Sequence, residues 1–191
     1  MKNIAVFILG TGTNFLDVID WEKQAKLFGK IALIVSDRPD AYGIIRAQEA
    51  GIKSVVIDQN NYSTPKDHEN AIERHLNENN IDLILLVGYM RLFTADFVKK
   101  WYLKIINLHP AFSPSSSGKK VGEKTFDSGI IILQDIVKIL PNDIIELLTK
   151  RIQNLEHELL PQTVNLVASA EEYIVEARRV ILKNQSIAVN R

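Results

Sequence analysis

The sequence predicts an α/β fold, a single domain over residues 1–191 with one mostly parallel, twisted sheet and helices on both faces. Three observations carry that reading. Short runs of Ile, Leu and Val recur between Ile4 and Leu108, helix-sized segments separate them, and the runs are apolar at nearly every position instead of every second one. Strands apolar on both faces belong in a sheet that is covered on both sides, and parallel neighbours need connections long enough to hold a helix.

The elements follow in order. Ile4–Leu9 is the first strand, and Gly10-Thr11-Gly12-Thr13-Asn14 after it opens a helix over Phe15–Phe28. Ile31–Val35 and Ser54–Ile57 are the next two strands, separated by a helix over Tyr42–Ala50. A helix over Lys66–Asn79 leads to the strand Leu83–Val87, and Thr94 caps a short helix over Ala95–Trp101. The strand Ile105–Leu108 is stopped by Pro110, which fixes φ and offers no N–H. Asp143, Ile144, Leu147, Leu148, Arg151, Ile152 and Leu155 give the apolar recurrence of a helix over Asn142–Ala168. Pro161 is expected to kink or divide that helix, and one more strand is expected around Val180–Leu182. Ser113 to Gly118 is the only low-complexity patch.

Composition narrows the class. With 46% hydrophobic residues in 191, the chain can bury one substantial core. Its 23 basic and 23 acidic residues cancel, which leaves no electrostatic footprint for nucleic acid or a membrane surface. The absence of cysteine excludes disulfides and thiolate metal sites, and four scattered histidines form no recognisable ligand set, so no metal is expected. Met1-Lys2-Asn3 runs directly into a strand pattern, and the longest apolar runs, Ile81 to Val87 and Gly129 to Leu133, are too short for a bilayer. A cytoplasmic protein with small-molecule substrates, monomeric or homodimeric, is expected.

The chemistry concentrates at Ile105-Ile106-Asn107-Leu108-His109-Pro110. Strand side chains alternate, so Asn107 and His109 point the same way from the strand's end. An amide donor beside a titratable imidazole suits a developing oxyanion and its proton, as in acyl transfer; a hydrogen-bonded structural His is the plainer alternative. Gly10 to Asn14 can cradle a phosphate on backbone amides at a helix start, or simply begin a helix. It is neither the dinucleotide fingerprint, since Phe15 replaces the third glycine, nor a Walker loop. Asp127-Ser128-Gly129 reads locally as a turn, and Glu156 as helix surface.

Asn107-Leu108-His109-Pro110, Gly88-Tyr89-Met90-Arg91 and Gly10–Asn14 together resemble the folate-dependent formyltransferases, in particular those that formylate glycinamide ribonucleotide in purine synthesis. Ser36-Asp37, Asp40-Ala41-Tyr42-Gly43, Phe126-Asp127-Ser128-Gly129, Ile132-Leu133-Gln134 and Glu156-His157 extend the resemblance over most of residues 1–168. It implies the formyltransferase fold, with 10-formyltetrahydrofolate as co-substrate. In that family the matching residues place Gly12, Thr13 and Asn14 on the ribonucleotide phosphate, Glu156 on its ribose hydroxyls, and His157 in a structural role. Met90, Arg91, Leu92 and Phe93 match the loop that wraps the pterin. Asn107 and a protonated His109 match the donors to the oxygen of the tetrahedral intermediate. Asp127 matches the carboxylate that keeps the imidazole charged and passes a proton, through water, to the leaving folate.

Two departures from the family stand out. Lys66 occupies the region where members often carry Arg, and it lacks the guanidinium fork, so it is left out of the site. Only 18 positions separate His109 from Asp127, where the family has a helix and most of a strand. Either residues near 118–122 are deleted, or an active-site loop is missing from the chain as numbered. The second reading is preferred, because loops beside active sites are commonly mobile and a lost core strand is costly. It expects one step there, Lys120 to Val121, to exceed the ~3.8 Å between bonded Cα atoms. A formyltransferase for another amine, or a folate- or nucleotide-binding module without catalysis, are the alternatives.

Overall fold

The computed structural model describes residues 1–8, 13–108, 132–133, 135–170, 173–176 and 179–182. The chain forms two compact units, Met1–Leu108 and His109–Arg191. The first holds a five-stranded sheet built from β1 (Lys2–Ile8), β2 (Gly29–Ser36), β3 (Ser54–Val56), β4 (Leu83–Val87) and β5 (Ile105–Asn107). Spatial order is β3-β2-β1-β4-β5 and every pairing is parallel, which bears out the α/β expectation.

Helices α1 (Thr13–Lys23), α2 (Tyr42–Glu49), α3 (Pro65–Glu78) and α4 (Ala95–Lys100) are the connections. Right-handed crossovers put α1 and α2 on one face and α3 and α4 on the other. The core follows suit. Ala5, Phe7, Leu33, Val35, Ile84 and Leu86 pack with Ile72 and Leu76 of α3 and with Phe97 and Trp101 around α4. The alternate residues Ile4, Val6, Ile8, Ile34, Leu83 and Leu85 are equally buried, as a sheet covered on both sides requires.

Local chemistry sets the boundaries. Thr64 accepts from the amide of Asp67 at 3.1 Å, and Pro65 fills the first position of α3. Thr94 caps α4 as expected, accepting from the amide of Phe97 at 3.3 Å. Helix α1 stops at Lys23, short of the expected Phe28. Ala25 takes a left-handed φ of 55°, and the amides of Ala25 and Lys26 close back on Glu22 and Trp21. This is a Schellman closure made with alanine, so no glycine marks it in the sequence.

At the amino edge of the sheet a polar network ties β1 to the turn before β4. The Asn3 amide donates to Asp82 at 2.8 Å, the Asp82 amide donates to the Asn3 carbonyl at 2.8 Å, and the Asn3 side chain reaches the carbonyls of Asn79 and Asn80. Lys53 Nζ adds a bond to Asn79 Oδ1 at 3.0 Å.

In the second unit α5 spans Ile145–Ser169 and passes Pro161 undivided. It is introduced by Asp143, which accepts from the Leu140 amide at 2.7 Å and pairs with Arg151. The Arg151 guanidinium, and then the Leu140 amide, hold the Asp143 carboxyl below its ordinary range. Strands β6 (Tyr173–Glu176) and β7 (Arg179–Leu182) form an antiparallel pair. Only the second had been expected; β6, Tyr173-Ile174-Val175-Glu176, is short and lies beside charged residues that hide it. Among the described residues no helix is long and apolar enough to cross a membrane.

Candidate active site

All five parallel strands end on one edge of the sheet. The chain runs from β1 outward to β3, then returns across the sheet to β4, so the topology reverses between β1 and β4. Open α/β sheets bind ligands outside the carboxyl ends of the strands at such a switch point. The strand ends there are Ile8 and Val87, and the loop leaving Val87 is Gly88 to Thr94.

Gly88 starts that loop at a φ of 69°, a backbone shape that side-chain-bearing residues rarely adopt. Beyond it the side chains alternate. Tyr89, Arg91 and Phe93 are anchored, whereas Met90 and Leu92 are 84% and 92% exposed. Tyr89 and Phe93 stack with centroids 5.7 Å apart, Phe93 stacks on Phe97 at 4.4 Å, and Phe7 meets Tyr89 edge-on at 5.2 Å. Arg91 Nε donates to Asp37 Oδ2 at 2.6 Å, and that carboxylate is fully enclosed. Glu69 of α3 accepts from both the amide and the hydroxyl of Thr94, each at 2.5 Å.

Beside the loop lies a cavity of about 200 Å³, lined among others by Tyr62, His68, Glu69, Tyr89, Arg91 and Phe93. His68 Nε2 lies 2.9 Å from the Ile57 carbonyl. Burial, with Asp37 nearby, raises the Tyr89 hydroxyl well above its ordinary range, so it stays protonated. Among the described residues, no hydrogen bond engages the main-chain amides of Met90 to Phe93. The site therefore combines an aromatic wall, a fixed guanidinium, exposed apolar side chains and available main-chain donors. A flat, partly apolar heterocycle with hydrogen-bonding edges suits that set.

The expected residues distribute as follows. Met90 to Phe93 form the loop just described, and Asn107 ends β5 exposed at the same edge of the sheet. Thr13 and Asn14 open α1, beside the switch point. Glu156 and His157 sit midway along α5, half-buried. Lys66 is exposed in the first turn of α3. Gly12, His109, Asp127 and the Lys120–Val121 step lie outside the described residues. Sequence reading missed Asp37 and Glu69 as contributors. Asp37 carried a signal, since a carboxylate immediately after an apolar parallel strand sits at the ligand-binding edge; Glu69, inside a helix, carried none.

Comparison with known proteins extends this geometry. The formyl transferase family model matches residues 2–129. The chain is 33% identical to the phosphoribosylglycinamide formyltransferase of Haemophilus influenzae over 182 residues, covering 86% of each chain. It is 34% identical over 198 residues to the trifunctional purine biosynthetic protein adenosine-3 of Gallus gallus, covering 94% of this chain but only 20% of that protein, so it spans about one fifth of that relative. The crystal structure of glycinamide ribonucleotide transformylase 1 from Symbiobacterium toebii superposes with a TM-score of 0.85 at 32% identity, covering 95% of this chain and 94% of the other. The chain belongs to the formyl transferase family.

Proposed function

We propose that residues 1–191 act as a single formyltransferase domain that moves the formyl group of 10-formyltetrahydrofolate to the amine of glycinamide ribonucleotide, a step of purine synthesis in the cytoplasm. The observation that carries this is the loop from Gly88 to Thr94, at the switch point of the sheet, in a chain that superposes over 95% of its length on a glycinamide ribonucleotide transformylase. Met90, Arg91, Leu92 and Phe93 receive the folate: the exposed Met90 and Leu92 cover its apolar faces, and the available amides meet the pterin edge. Gly12, Thr13 and Asn14 hold the phosphate at the start of α1, where amides and helix dipole favour an anion. Glu156 takes the ribose hydroxyls.

Asn107 and protonated His109 donate to the oxygen that becomes negative as the amine attacks the formyl carbon. Preorganised donors of this kind are worth ~3–4 kcal/mol each in the barrier. Asp127 keeps the imidazole charged and takes the proton from the amine toward the departing folate nitrogen. No metal is needed for these steps.

The short interval between His109 and Asp127 favours a second reading, a module that binds folate and nucleotide without catalysis. Formyl transfer to glycinamide ribonucleotide by the full chain, with tetrahydrofolate and ribonucleotide binding measured in parallel, tests both readings. Turnover that falls roughly 100-fold or more in His109→Ala and Asp127→Asn, with binding kept, is expected. Binding without turnover in the parent chain overturns the enzyme and leaves the module.

A further inference from the structure

We propose that Asp37 and Glu69 are positioning residues that clamp the loop from Tyr89 to Thr94 in its co-substrate-binding shape without touching the co-substrate. This rests on the folate reading of that loop. Two separate elements supply the carboxylates. Asp37 follows β2 and stands 54 positions from Arg91; Glu69 lies on α3, 25 positions from Thr94. The two grips are three residues apart, so Leu92 and Phe93 are held between fixed ends.

Each grip is built for stiffness. The Asp37 side chain is wholly enclosed, and a buried carboxylate is tolerable only while a cation meets it, so Arg91 is tied to one place. Arg91 itself is 37% exposed and could turn to water once released. Glu69 accepts both Thr94 donors while Thr94 Oγ1 accepts from the Phe97 amide, so one carboxylate orients the hydroxyl that caps α4. The loop's end and the helix's start are therefore one hydrogen-bonded unit. Asp37 is wholly enclosed, and each oxygen of Glu69, which borders the cavity, already accepts from Thr94. The clamp acts on binding through Arg91 and Thr94.

Dissociation constants for tetrahydrofolate and for glycinamide ribonucleotide, measured by calorimetry on the full chain and on Asp37→Asn and Glu69→Gln, test this. Both variants keep side-chain shape and remove charge. Asp37→Asn is expected to weaken tetrahydrofolate about tenfold and ribonucleotide less than twofold, with faster exchange at the bonded Thr94 amide. Asp37→Asn combined with Arg91→Met should bind folate no worse than Arg91→Met alone, because the two act through one contact. Glu69→Gln should weaken folate by less, since Gln can still accept from the Thr94 amide. Equal weakening of both ligands, or unchanged folate binding in a folded Asp37→Asn chain, overturns the clamp. If a variant fails to fold, exchange of the Thr94 amide, the bonded one in this loop, decides in the parent chain: exchange as fast as in exposed turns overturns the clamp too. Absence of tetrahydrofolate binding to the parent chain overturns the folate reading instead.

Discussion

The sheet core around β1 and β4 and the stretch leading into α5 are both rich in Ile and Leu, yet they treat those residues oppositely. Ile4, Leu83, Ile84 and Leu85 are sealed from solvent, whereas Ile136, Ile139, Ile144 and Ile145 are exposed, Ile145 by 81%. In the sheet, apolar content is resolved by pairing and by helices on both faces. In the approach to α5 it is organised by polar contacts, with Asp143 gripping the Leu140 amide and Arg151, and Arg151 reaching the Lys138 carbonyl. Apolar periodicity thus announces a helix without saying which of its residues are covered.

Three changes sharpen that contrast, the largest first. Phe97 is buried between Phe93 and Trp101, so Phe97→Ala should destabilise the chain by ~3–5 kcal/mol in denaturant unfolding. A loss under 1 kcal/mol would mean the aromatic row can collapse around the gap.

Acid should act on the other region. Asp143 has its carboxyl pKa lowered in the folded chain, so its contribution is present above the ordinary value of 3.8 and is lost as pH falls through the lower folded value. Amide exchange at Leu140 should quicken across that window in the parent chain, and show no such step in Asp143→Asn. Smallest of all, Ile145→Ser should change stability by no more than about 0.5 kcal/mol, since the side chain is largely in water. A loss like that of Phe97→Ala would show that Ile145 is covered in solution.

Much of the first unit was legible because its signals are local. Unbroken apolar runs gave all five sheet strands, and Thr94 marked the start of α4 through its own side chain. The end of α1 was not legible, since Ala25 adopts a left-handed conformation that alanine does not advertise. Nor was β6, which is held by its pairing with β7 more than by its own pattern. Within the candidate site, Met90 to Phe93 were found through resemblance to a family, while the Asp37–Arg91 and Glu69–Thr94 contacts join residues far apart in sequence and emerge only from the fold.

The polar network among Asn3, Asp82, Asn79, Asn80 and Lys53 has a consequence for evolution. It fastens the sheet at the edge opposite to the one where every strand ends. Structural obligation and substrate choice are thereby assigned to different residues. Drift at the exposed Met90 or Leu92 can change what that loop meets while the scaffold stays closed, because neither side chain is packed into it.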